Sequence, residues 1–279
     1  MATGPVTTTS AAKFVQESWT QEVQKPYYDQ LYFKGLITDR SALVQKGSNK
    51  LNVPFLTKYS ASDKSAGTAV TFTNNTEEEV EISINKHKYC AIMIEDFAGA
   101  QSNYDLATLY RGAQSEAIAE AVDTDLGSLH ASAGTNVACG AAMDDADILS
   151  AIYALDAANV PPTQRHAIIS AKPANDLRSV DKYTQYSNTG EKGLSASGTA
   201  NVANVYGIDI SMSNNIVDDA TSTHNQVFHK AAISMAEQIK PTYKIEDSVD
   251  YIAVKTVLHT SYGFGLERST SLVDMERDS

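Results

Sequence analysis

The stretch that decides the fold covers residues 84–131, INKHKYCAIMIEDFAGAQSNYDLATLYRGAQSEAIAEAVDTDLGSLHA. Val80, Ile82 and Ile84 lead into it in alternation with polar residues, and from Tyr89 to Ile94 the apolar run is unbroken. Such a pattern predicts a strand over about 80–95. After Glu95-Asp96 the period changes. From Ser102 onward the apolar positions are Leu106, Leu109, Tyr110, Ala113, Ala117, Ile118, Ala121, Val122, Leu126 and Leu129, a helical spacing held for about eight turns. Ser102 is the expected N-cap, and Asp105, three residues on, suits both a weak capping box and the positive end of the dipole. No proline interrupts the run and alanine is plentiful, so propensity agrees with pattern. A helix of this length spans about 40 Å. Few compact enzymes of this size need one, whereas a thin, plate-like subunit does.

The remaining composition narrows the class. At 279 residues the chain can bury a real core, and two subdomains are expected. Acidic residues number 34 against 22 basic, for a net charge of −12, a poor basis for binding nucleic acid through its phosphates. The first residues, MATGPVTTTSAAKF, lack the basic start and apolar core of a secretory signal, and the longest apolar run is too short to cross a bilayer. Cys90 and Cys139 are too few for a metal cage. Cys90, in the apolar strand, reads as a small buried hydrophobe, and a reducing cytoplasm is the expected site of synthesis.

Residues 1–12 read as an extended or disordered arm. Residues 13–34 carry Phe14, Trp19, Tyr27, Tyr28, Tyr32 and Phe33 around Pro26, a sticky surface for an isolated arm that wants a partner to cover it. LNVPFLTKY (51–59) predicts an edge strand because of Pro54. TAVTFTN (68–74) predicts its partner, and NNTEEE, ending at Glu79, a turn. Residues 48–80 thus form a long two-stranded ribbon, and such a ribbon is marginal alone. After the long helix, 135–143 reads as a small-residue linker. Asp144 caps a helix with interior positions Ile148, Ile152 and Leu155 that stops at Pro161-Pro162. RHAIISAKP reads as a buried strand, ANDLRSV as a short helix, 183–204 as a long exposed loop and YGIDISMS as a strand. Closing strands follow, with a turn at Gly263-Phe264-Gly265.

This order, and in particular VEISINKHKYCAIMIED followed by QSNYDLATLYRGAQSEAIAEAVDTDL, resembles the major capsid proteins of tailed bacteriophages, podovirus-type members included. The closing segment, AAISMAEQIKPTYKIED through VLHTSYGFGLERSTSLV, is similar to that family's ending. The resemblance covers roughly 50–131 and 228–275 and is weak between 137 and 226. It implies an α+β, Hong Kong 97-like fold. Residues 1–47 would form an N-terminal arm and 48–80 an extended loop. Residues 81–136 and 228–279 would form a peripheral domain with the spine helix, and 137–227 an axial domain whose 183–204 loop points toward the capsomer axis. Many relatives begin with a charged scaffold segment that is cleaved. This chain starts without one, so a separate scaffolding protein is implied.

Enzymatic constellations are poorly supported. His224 and His229 are one position too far apart for zinc-helix spacing, and no further ligand is near; histidines in a surface loop are the expected reading. Asp144, Asp145 and Asp147 sit at a helix start, where carboxylates suit the dipole. His259 and Lys255 fall on one face of a strand as rim residues. No phosphate loop, nucleophile elbow or Cys–His signature is present, and neither a catalytic residue, a metal nor a cofactor is expected. Glu77, Glu78 and Glu79 read either as a solvated turn or as a contact with a basic patch on a neighbouring subunit. Lys58, Asp63 and Lys64 on the same ribbon, and Trp19, Tyr27 and Tyr28 on the arm, complete the expected inter-subunit contacts.

The resulting expectation is a non-enzymatic shell subunit that assembles into hexamers and pentamers in a bacterial host cytoplasm. It would work with a scaffolding protein and a portal protein, enclosing double-stranded DNA without sequence-specific binding and without any membrane. An encapsulin-type nanocompartment shell has the same fold and encloses cargo protein; neighbouring genes would separate the two. A soluble α/β enzyme using 144–226 as its substrate domain would show a deep polar pocket. A tail or decoration protein would lack the spine.

Overall fold

The computed structural model describes residues 31–56, 58–70, 72, 77–102, 105–180, 182 and 201–278. Trp19, Tyr27 and Tyr28, and the part of the expected loop from 183 to 200, lie outside the described residues. In chain order, α1 (Phe33–Leu36) and β1 (Thr38–Asp39) precede a ribbon made of β2 (Lys50–Leu56) and β3 (Glu77–Ser83). Next come β4 (Lys86–Glu95), the short α2 (Asp96–Gln101) and the long α3 (Leu106–Gly127). The middle of the chain holds β5 (Thr135–Gly140), α4 (Asp145–Ala157), β6 (Arg165–Ile169) and α5 (Ala171–Ser179). It continues with β7 (Asn201–Val205), β8 (Ile208–Met212) and β9 (Ser222–His229). Three strands close it: β10 (Ile233–Ser248), β11 (Ala253–Leu266) and β12 (Leu272–Asp278).

These strands form a four-stranded sheet, β1-β10-β11-β4, a six-stranded sheet, β5-β12-β9-β6-β8-β7, and the separate ribbon. The chain leaves the first sheet, builds most of the second and comes back. Its division differs from the expected one at both ends. The stretch from Thr135 is strand β5 rather than a linker, and 201–205 is strand β7 rather than loop. Residues 272–278 do not rejoin the long helix: β12 lies parallel to β5 and antiparallel to β9. Leu272, Val273, Asp274 and Met275 are all buried, so this strand is covered on both faces and belongs inside a sheet. The expected boundary at 227/228 falls within β9.

Helix α3 starts later than its apolar spacing suggests. Asp105, not Ser102, is its N-cap, accepting the backbone N–H of Thr108 at 3.3 Å and the Thr108 hydroxyl at 2.5 Å. Ser102 instead closes α2, donating its N–H to the Ala98 carbonyl. At 22 residues the helix is about 33 Å long rather than 40 Å. Its buried stripe is narrow: Gln114, Ile118, Val122 and Leu126, each four residues apart, while Tyr110 and Ala117 face outward.

The ribbon's second strand is β3, in register from Lys50↔Ser83 to Leu56↔Glu77. Residues 68–70 and 72, within the expected strand TAVTFTN, are not in a strand. The register taken sets Val80 and Ile82 opposite Val53 and Leu51 on the more buried face, with Glu77, Glu79 and Glu81 on the other. Apolar cross-strand pairs of this kind outweigh the β-propensity of the tip. Gly263-Phe264-Gly265 is no turn; it lies inside β11, where β3 crosses. A Cβ on Gly263 would stand 2.3 Å from the Ser83 carbonyl oxygen, and one on Gly265 3.2 Å from Ile82 Cγ1.

Two cores hold the fold. One lies between the six-stranded sheet and helices α4 and α5, around Ile148, Leu155, Ile169, Leu177, Ile208 and Met275. The other joins the two sheets to α1 and the end of α3 through Phe33, Leu126, Phe228, Ile233, Tyr262 and Leu272. In it the Phe33 and Phe228 rings stack with centroids 6.1 Å apart.

Candidate assembly surfaces

The ribbon separates its chemistry by face, because alternate strand residues point to opposite sides. Leu51, Val53, Phe55, Val80 and Ile82 share one face; Lys50, Asn52, Leu56, Glu77, Glu79 and Glu81 share the other. On this second face Lys50 pairs with Glu81 at 2.8 Å and Asn52 donates to Glu79 at 3.2 Å. Three carboxylates thus stand against one ammonium. Among the described residues no salt bridge reaches Glu77, Glu78 or Glu79. Lys58, Asp63 and Lys64 lie exposed in the irregular connection beyond β2. Leu56, Tyr59, Val70 and Phe72 are exposed as well, Phe72 by 93%. The acidic run the sequence places in a turn is therefore a strand, and the apolar exposure at the tip escapes any reading of charge.

Among the described residues the four-stranded sheet is covered on one face only. Toward α3 point Cys90, Ile92 and Ile94 of β4 with Thr256 and Leu258 of β11. Buried Gln114 of α3 donates to the carbonyls of Cys90 and Thr256, both at 3.2 Å. Asp125 accepts from the Tyr262 hydroxyl at 2.7 Å and pairs with Lys88 at 3.2 Å; burial and that carboxylate push the Tyr262 hydroxyl pKa well up. The opposite face carries His87, Tyr89, Ala91 and Met93 of β4, Lys255, Val257 and His259 of β11, and Lys244 and Glu246 of β10. Tyr89 and Met93 are largely exposed there. An unbroken apolar strand signals two covered faces, and among the described residues β4 has one. His87, Tyr89, Lys244, Glu246, Lys255, Val257 and His259 line a groove of about 360 Å³ on this open face. His259 and Lys255 share a face, as the sequence predicts.

Elsewhere the titratable groups serve the fold. Asp144 and Asp147 form a reciprocal capping box at the start of α4. His224 lies in β9 rather than in a surface loop, its Nδ1 2.8 Å from the buried Asp274 and its Nε2 3.5 Å from Asp219. Burial lowers its proton affinity, but the two carboxylates outweigh it and leave the pKa raised. The His130 ring stacks on it at 3.9 Å. His229 lies in the same strand and is not drawn into the His224 cluster. Asp123, at the end of α3, receives the backbone N–H groups of Tyr32 and Lys34 at 3.4 Å; burial pushes its pKa up to about 6. Cys90 and Cys139 are free and sit in different sheets, and burial pushes the Cys139 thiol up to about 12. Among the described residues no cluster of three or more His, Cys, Asp or Glu is arranged to hold a metal ion, and no helix is long and apolar enough to cross a membrane.

No family model matches the chain, and no curated protein does. Solved structures do. A chain of Mycobacterium phage Che8 is 26% identical, with a TM-score of 0.82 over 94% of this chain and 97% of that one. A chain of the capsid structure of the Cyanophage P-SCSP1u is 18% identical, with a TM-score of 0.80 over 96% and 94%. One from the asymmetric unit of the bacteriophage PhiM1 mature capsid is 14% identical, with a TM-score of 0.72 over 94% and 92%. These likenesses run nearly end to end, so the chain has this α+β fold over nearly its whole length.

Proposed function

We infer that the chain is the major capsid protein of a tailed phage, a structural subunit with the Hong Kong 97-like fold that builds the icosahedral head. The observation carrying this reading is the near-complete match to the Che8 chain at 26% identity, alongside neighbours drawn from phage capsids. Copies of this chain would join into hexamers and pentamers around double-stranded DNA, with a scaffolding protein and a portal protein as partners during assembly in the host cytoplasm. In this reading the mechanism is geometric rather than catalytic. Helix α3 stiffens the plate through Gln114 and Asp125, while the ribbon and the N-terminal arm, with Trp19, Tyr27 and Tyr28, reach adjacent subunits. The six-stranded sheet and the 183–204 loop would form the axial part. A net charge of −12 suits a wall that encloses phosphate without adhering to it.

The test is electron microscopy of the chain expressed with the scaffolding protein encoded beside it. Closed shells or capsomer rings are expected. A uniform 30 kDa monomer with and without that partner would overturn the reading. Shells that carry a neighbouring cargo enzyme in place of a genome would reassign it to the encapsulins.

A further inference from the structure

We propose that His224 is the pin of a pH-sensitive latch between α3 and the six-stranded sheet: while both its ring nitrogens carry protons, the connection from β8 to β9 is held against α3, and when one proton leaves, the connection comes loose. This goes beyond the shell-subunit reading and does not depend on it. The connection, residues 213–221, touches both sides of the joint. At its start Asn215 donates to the Glu120 carbonyl of α3 at 3.0 Å and accepts from the Thr124 hydroxyl at 2.6 Å. Near its end Asp219 stands 3.5 Å from Nε2 of His224. His224 itself is buried in β9, with Nδ1 2.8 Å from Asp274 of β12. On the helix side lies His130, in the single turn Ser128–Ser132 after α3. Its ring is flat on that of His224, 3.9 Å away and tilted by 8°.

Both ring nitrogens thus face carboxylates, and a carboxylate only accepts. An imidazole has two N–H groups to give only as the cation; with one proton fewer it turns a lone pair toward one of the two acids. The cation is also the form that a π face attracts, and His130 supplies that face. The two acids are unlike. Asp274 is buried, and its Oδ1 has no hydrogen-bond partner among the described residues, so the His224 N–H is what compensates it. Asp219 is half exposed and already accepts the N–H groups of Thr221 and Ser222 and the Thr221 hydroxyl. The one remaining N–H therefore stays on Nδ1 toward Asp274, and Asp219 is the partner lost.

The other charged groups around the ring leave the sign unchanged. Glu276 of β12, directly opposite His224, adds negative charge and is held by Ser222 and Asn136 at 2.9 Å each. Asp218, next to Asp219, accepts the Ala220 N–H at 3.1 Å. Arg277 of β12 is turned to Asp176 at 2.7 Å. Among the described residues no lysine or arginine pairs with Asp219 or Asp274. Burial lowers the proton affinity of His224, but Asp274 and then Asp219 raise it by more. Burial likewise pushes the Asp274 carboxyl up against the pull of His224, so both groups hold their protons longer than they would in the unfolded chain. A raised folded pKa for His224 means that the latch is fully closed below the ordinary imidazole value of about 6.5 and is lost as pH rises through the folded one.

The test is hydrogen exchange of the full-length chain, read by mass spectrometry at about pH 6 and about pH 8.5 and corrected for the intrinsic pH dependence of exchange. Amides of 213–222 should exchange at least about tenfold faster at the higher pH, while those of β10 and β11 behave alike at both. His224→Gln, which cannot take up the proton, should exchange this segment fast at both values. Asp219→Asn still accepts from Thr221 and Ser222 but brings no charge to the ring, so it should move the rise in exchange about one pH unit downward. If wild-type exchange of 213–222 is the same at both pH values, or rises identically in Asp219→Asn, the latch is wrong. Should His224→Gln fail to fold by circular dichroism, Asp219→Asn alone decides, since it leaves the buried pair in place. None of these outcomes touches the shell-subunit reading, which electron microscopy tests separately.

Discussion

At Gly263 a hydrogen stands where any other residue would put carbon against the Ser83 carbonyl oxygen and the Ile84 Cα, the latter 2.8 Å away. Both neighbours are backbone and cannot swing aside. Gly263→Ala should therefore cost about 1–3 kcal/mol of subunit stability, the range typical of overpacking, and chemical denaturation of the unassembled chain would measure it. An unchanged midpoint would mean that β3 can lift off β11 freely. Asp123 makes a different residue-scale prediction. Its folded pKa of about 6 lies above the ordinary range of an aspartate, because burial outweighs the amides of α1. Its contribution to stability is full below about pH 4 and is lost as pH rises through about pH 6. Asp123→Asn, which keeps an acceptor for Tyr32 and Lys34, should flatten the decline of Tm between those values. A profile identical to that of the wild type would assign the titration elsewhere. Neither residue could be understood from sequence. Glycine-X-glycine punctuates turns far more often than it marks a strand crossing, and an aspartate late in a helix looks solvated until α1 is packed upon it.

Elements were legible where one period ruled a long segment. The change from strand to helix after Glu95, the stop at Pro161 and the closing strands all follow from local pattern. Helix α3 was legible as an element but not at its start, because Ser102 and Asp105 are both good caps and only tertiary placement chooses between them. The ribbon shows the opposite case. TAVTFTN has the higher β-propensity, yet EEEVEIS is the strand, since it alone brings Val80 and Ile82 over the apolar side of β2. The three glutamates were found by their charge, and their alternation by the register. Deleting residues 60–76 leaves three residues, 57–59, to join β2 to β3, enough for a hairpin turn. The isolated subunit should melt within a few degrees of the full-length chain, because shortening a surface loop changes closure entropy little. Shell formation should fail, because the exposed tip with Phe72 and Val70 is gone. Normal shells from this deletion, seen by electron microscopy, would show that the tip plays no part in assembly.

For the whole molecule, the core between the two sheets matters most. Phe228 is fully buried, stacks on Phe33 and touches both sheets' territory through Ile233, Tyr262 and Leu272. Phe228→Ala should destabilise the subunit by about 3–5 kcal/mol, and the loss should appear in one cooperative transition followed by far-UV and near-UV circular dichroism alike. Two separated transitions would mean that the sheets fold as independent units. The sequence pattern led to an outgoing and returning chain, but not to the place of its last strand, because seven residues, LVDMERD, carry no label for the sheet they will join. That place affects the order of synthesis. β5 is made from Thr135 onward, yet its neighbour β12 begins only at Leu272. At translation rates of about 5–20 residues per second, one edge of the six-stranded sheet waits roughly 7–27 seconds for the strand that fills it. Until then the nascent chain lacks its finished shape, so crowded ribosomes on one message hold precursors that cannot yet interlock with one another.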